Sequence, residues 1–149
     1  MYDRPTLEEL IEAARLHIES TVVPAVRGDA KLYFQTLVAI NVLKIAGREL
    51  QLGDEHAHAE WERLNVLERV EQPIPSRLPE IKAALAARNA GLSTAIRAGV
   101  YDADPNALFA HLKATVSAQL EVANPRFLKT LMDEEANPER DAWHNRNQL

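Results

Sequence analysis

Between Asp29 and Leu52 the chain reads "DAKLYFQTLVAINVLKIAGRELQL", with Leu32, Tyr33, Phe34, Leu37, Val38, Ile40, Val42, Leu43, Ile45 and Leu50 spread over far more than one stripe of a helix. No segment anywhere alternates apolar and polar residues with period two, which a half-buried strand would need. A helix that is apolar on most sides belongs in the middle of a bundle, where neighbours cover its faces. The sequence therefore predicts an all-α fold. It is expected to be a single-domain antiparallel helical bundle of about five main helices around this central apolar helix, about 29–52.

The other elements are set by start and stop signals. Thr6 can cap the backbone N–H of Glu9 while the Glu9 carboxylate reaches back, and Leu7, Leu10, Ile11, Ala14, Ile18 and Val22 then recur at helical spacing until Pro24. Gly53 is placed to end the second helix in the left-handed conformation, and Asp54 to cap a third with Ala57, Trp61, Leu64 and Leu67 inward. "EQPIPSRLPE" reads as the one long connection. A fourth helix carries Ile81, Leu85, Leu92 and Ile96 and stops at Gly99. A fifth starts at Asp104 and Pro105, carries Leu108, Leu112, Val116, Leu120 and Val122, and ends at Asn124 and Pro125. The short apolar segment "RFLKTLM" completes a domain expected to span 1–132, and 133–149 reads as a polar tail, frayed or docked on a partner.

Composition excludes several function classes. With 149 residues the chain can bury a core without staples, and it has no cysteine, so thiolate zinc sites, disulfides and thiol nucleophiles drop out. A formal charge of -5 and a pI near 5.5, with arginines scattered among acids, disfavour a nucleic-acid partner, whose affinity comes from basic groups displacing counterions. "LVAINVL", the longest apolar run, is too short to cross a bilayer, and the acidic "MYDRPTLEEL" is unlike a signal peptide, so the cytoplasm is the expected compartment.

"GDEHAHAEWERL", residues 53–64, raises the question of a metal. Glu55 and His58 have the Glu-x-x-His spacing of di-iron bundles, but no second such pair occurs in the chain. His56 and His58 point about 160° apart on an ideal helix, so one ion would hardly take both. The acids are accounted for by the positive end of a helix, and neither a metal nor another cofactor is expected. Asn41, an amide inside the most apolar helix, is either satisfied by a neighbouring helix or set in a ligand pocket. His111, beside Leu112 at the edge of an apolar face, is either a structural histidine or a base. Arg48 and Arg97 near helix ends are accounted for by the helix dipole. Phosphate loops, nucleophile elbows and zinc signatures are absent from the sequence.

Three stretches, "MYDRPT", "VAINVLKIAGREL" and "IRAG" followed by "LFAHLKATVSAQLEVANPRFL", together resemble a family of short bacterial helical proteins, domain of unknown function family 6285. The resemblance spans Met1 to about Leu128 and marks Tyr2, Asp3, Arg4, Pro5, Asn41, Arg48, Glu49, Leu50, Arg97, Gly99, His111, Leu112, Asn124, Pro125 and Arg126. It departs after Phe34, at Gln35 and Leu37, where the pattern has a histidine after the phenylalanine and an arginine two residues further on. Members are often encoded beside aminoglycoside-phosphotransferase-like kinases and acyl-CoA dehydrogenases, which implies a link to acyl-CoA metabolism but no activity. Two functions are thus expected to compete. One is a non-catalytic accessory or interaction protein for such a phosphotransferase-like kinase or acyl-CoA dehydrogenase, with a homodimer left open. The other is a protein that binds or converts a phosphate- or carboxylate-bearing small molecule, in a pocket gathering Asn41, Arg48, Glu49, Arg97 and His111.

Overall fold

A computed structural model describes residues 4–136, and among them there is no strand. The helices are α1 (Leu7–His17), α2 (Val23–Ala25), α3 (Ala30–Glu68), α4 (Leu78–Arg97), α5 (Asn106–Ala123) and α6 (Pro125–Ala136), with a π-helical turn, Ile18–Val22, joining α1 to α2. The all-α class is as the periodicity requires. By contact, the chain divides into two compact units, Met1–His56 and Ala57–Leu149. α6 extends past the expected limit at 132, and the rest of the expected tail, from 137 onward, lies outside the described residues.

In the first unit, α1 starts on the expected reciprocal cap: the Glu9 N–H donates to Thr6 Oγ1 at 3.1 Å and the Thr6 N–H to Glu9 Oε2 at 2.8 Å. The helical path does not stop before Pro24 as expected. Proline lacks an N–H and its ring crowds the carbonyl four residues back, and the chain accommodates both by widening into the π turn, where the Val23 N–H donates to the Ile18 carbonyl. Asp29 then caps α3, accepting from the Leu32 N–H at 2.9 Å.

The expected break at Gly53 is corrected by the structure. α3 runs unbroken through it to Glu68, so the segments read as helices two and three are one helix of 39 residues. Glycine adopts right-handed helical angles as well as left-handed ones, at a cost of about 1 kcal/mol relative to alanine. The helix-forming residues beyond it, with no proline until Pro73, extend the hydrogen-bond ladder and outweigh that cost.

In the second unit, Ala57, Trp61 and Leu64 of α3 pack with Ile81, Leu85 and Leu92 of α4 and Leu108 of α5, and Leu64 and Ile81 are essentially sealed from water. The apolar core therefore lies beyond the segment read as the central helix, in which Leu32, Phe34, Leu37, Val38, Val42 and Leu50 are all exposed. Trp61 Nε1–H and Asn65 Nδ2–H both donate to the Gln72 carbonyl at 3.0 Å, which pins the proline-rich connection. Gly99, at φ 75°, turns the chain after α4, as expected of the glycine there. α5 begins at Asn106 with Pro105 as its cap, one residue later than Asp104 and Pro105 predict. Asn124 ends α5 and accepts the Phe127 N–H at the start of α6, at 3.2 Å. No helix among the described residues is long and apolar enough to cross a membrane.

Candidate functional site

The second unit carries a cleft of about 1090 Å³ lined by the last turns of α3, the segment after α4 and the first turns of α5. Its apolar lining is Ala59, Val66, Leu67, Val100, Ala103, Ala107 and Ala110; its polar lining is Glu62, Arg63, Glu68, Arg69, Tyr101, Asp104 and His111. An apolar recess with a few converging polar groups is the usual build of a small-molecule site.

Two of those polar groups are incompletely satisfied. His111 is 4% exposed and its Nδ1 is buried with no hydrogen-bond partner. Burial pushes its pKa below 6.5, the Arg63 guanidinium adds to that, and Glu60 and Glu68 oppose it. The imidazole is therefore held neutral, with one ring nitrogen a donor and the other an acceptor. Arg63 reaches Thr115 Oγ1 through Nη2 at 3.4 Å, while its Nε is buried without a partner. None of the ion pairs of the described residues involves it. A partly buried guanidinium whose one bond is to a distant hydroxyl lacks its counter-charge, and a buried unmade hydrogen bond to a charged group is expensive.

The wall behind the cleft is rigid. The Arg88 guanidinium lies 4.6 Å from the centre of the Trp61 ring and donates to Glu68 Oε2 from Nη2 at 2.8 Å and from Nε at 3.2 Å. Asn89 Nδ2–H donates to Glu60 Oε1 at 2.7 Å. These contacts lock α4 to α3 and hold Glu68 at the cleft edge with its charge already matched.

Of the five residues expected at a site, His111 lines this cleft. Arg48 lines a different groove in the first unit, of about 630 Å³, together with Glu8, Glu12, Leu43 and Gln51. Asn41, Glu49 and Arg97 are exposed and line neither. Arg63, Arg88 and Glu68 carried no signal in the sequence, where Arg63 and Arg88 are two among many arginines near acids. Among the described residues no three histidine, aspartate or glutamate side chains gather in a way that could hold a metal ion.

Fold and cleft together define a small all-α protein with one histidine- and arginine-lined recess in its second unit. The chain belongs to the family described as a domain of unknown function (DUF6285), whose model matches residues 24–127. The match includes the whole cleft and begins at Pro24, so the "MYDRPT" block falls outside it. Compared with curated proteins and with solved structures, the chain has no significant match.

Proposed function

We propose that the second unit binds a small molecule with an apolar body and one anionic group, and that the chain acts through this binding. The observation that carries the reading is the pair of unpartnered buried atoms, Arg63 Nε and His111 Nδ1, on residues lining one largely apolar recess. A carboxylate or phosphate oxygen beside Arg63 supplies the missing counter-charge and accepts its Nε–H, while the imidazole bonds a second oxygen if Nδ1 carries the proton. The hydrocarbon part of the ligand then covers Val66, Leu67, Val100 and Ala107. Binding without turnover also suits an accessory protein of a phosphotransferase-like kinase or acyl-CoA dehydrogenase, the partnership that the resemblance implies. Co-purification of tagged protein from its native host tests that part.

The binding itself is tested by calorimetric titration with decanoate, decyl phosphate and decanol. The two anions are expected to bind and the alcohol to bind at least tenfold more weakly, with Arg63→Gln removing the difference. Equal affinity for decanol and decanoate, or anion binding that survives Arg63→Gln unchanged, would refute the assignment.

A further inference from the structure

The two helices that end at the cleft close on one hydrogen-bond pattern. After α3 the Val70 N–H donates to the Asn65 carbonyl at 3.0 Å and the Arg69 N–H to the Val66 carbonyl at 3.3 Å. After α4 the Val100 N–H donates to the Ala95 carbonyl at 3.1 Å and the Gly99 N–H to the Ile96 carbonyl at 3.0 Å. This closure needs a left-handed residue, and glycine is its usual occupant because a Cβ crowds the backbone there. α4 uses Gly99, at φ 75°, whereas α3 uses Arg69, at φ 55°. Among the described residues Arg69 is the one non-glycine at positive φ.

The Arg69 side chain makes no ion pair with the described residues that would explain its place. The helix dipole favours a cation anywhere in the last turn, where a right-handed residue carries it without strain, so it does not call for an arginine at this one position. What the position does supply is a place on the cleft lining, with Arg69 exposed where Arg63 is half-buried. Backbone strain of this kind gathers at ligand sites.

The acids of the lining are largely matched. Glu68 is held by Arg88, and Asp104 sits at the positive end of α5, where its Oδ1 accepts the Asn106 N–H at 3.4 Å. Arg63 and Arg69 then stand against Glu62, two cations to one acid.

We infer that Arg69 is a second anion-binding residue of the cleft, and that the site selects a dianionic head group, a phosphate monoester, over a carboxylate or a phosphate diester. The inference rests on the binding reading given above, in which Arg63 takes one oxygen of the anion. A phosphate monoester presents three terminal oxygens and close to two charges at about pH 7.5, enough for a guanidinium on each side. A carboxylate has one charge, which Arg63 by itself satisfies. Arg69 meets the head group from the solvent side.

Calorimetric titration of the full chain at about pH 7.5 with decyl phosphate, methyl decyl phosphate and decanoate tests the selection. Wild type is expected to bind decyl phosphate about tenfold more tightly than either monoanion, and Arg69→Gly to reduce that ratio to about threefold or less. Glycine suits the left-handed position, so the denaturation midpoint of Arg69→Gly is expected to equal or exceed that of wild type. Equal binding of the three anions by wild type, a preference that Arg69→Gly retains, or an Arg69→Gly midpoint below wild type each overturns the inference. All three leave the binding reading standing as long as decanoate binds through Arg63, whereas a wild type that binds none of the anions removes both.

Discussion

Replacing Arg88 by methionine removes one half of a charge pair that the fold has taken out of water. The Arg88 side chain is 9% exposed and that of Glu68 25%. Breaking a fully buried pair from one side costs about 3–5 kcal/mol, because the remaining charge stays desolvated. Glu68 keeps a quarter of its exposure, which lowers its share to roughly 2–3 kcal/mol. The lost attraction to the Trp61 ring adds about 0.5–1 kcal/mol, since the methionine chain still covers the ring. The expected loss is therefore about 3 kcal/mol, or roughly 9 °C in Tm for a chain of this length. Adding Glu68→Gln to Arg88→Met removes the stranded charge and is expected to recover about 2 kcal/mol of that loss. Urea denaturation followed by circular dichroism on wild type, both single variants and the double variant measures the cycle. Arg88→Met within about 0.5 kcal/mol of wild type, or a double variant whose loss equals the sum of the singles, would show that the pair is not buried and coupled as described.

The glycines separate by site. Gly91 lies inside α4 with nothing within 4 Å of an added Cβ, so Gly91→Ala is expected to stabilise by about 0.5–1 kcal/mol in thermal denaturation. Gly99 has φ +75° and an added Cβ would stand 2.8 Å from Asp102 Oδ2, so Gly99→Ala is expected to destabilise by about 1–2 kcal/mol. His111 is held neutral below its ordinary 6.5, so the unfolded chain takes up the proton first. Its contribution is complete above pH 6.5 and declines as the pH falls through that value toward the folded pKa. Denaturation midpoints measured through this range should drop for wild type and less for His111→Gln. An anion bound beside His111 favours its protonated form, so decanoate affinity is expected to rise as pH falls from about 7.5 to about 6, and a flat profile would place the anion elsewhere.

Much of the local structure can be read from residue spacing. The Thr6–Glu9 cap, the turn at Gly99 and the double duty of Asn124 depend on side chains within a few residues of the backbone they bond, so the sequence neighbourhood contains both partners. The family, too, is legible, because the stretches from "VAINVLKIAGREL" onward lie along the chain within the matched residues 24–127 or next to them. Gly53 misleads because a glycine permits both a helix end and a helix interior, and the residues beyond it decide between them. Pro24 misleads as a stop because periodicity does not anticipate a π turn.

The cleft is legible only at His111, and there for want of an alternative role, since one histidine on an apolar face looks the same in a core and in a pocket. Arg63 and Arg97 are the same residue type, both on helices, and nothing in the sequence separates the one that lines a recess from the one left exposed. The pairing of Glu68 with Arg88 joins residues 20 apart on different helices. Local spacing sets which helical face a side chain occupies. Whether that face meets water, a ring or an opposite charge depends on how α3, α4 and α5 pack, and that packing alone leaves Arg63 Nε and His111 Nδ1 buried without partners.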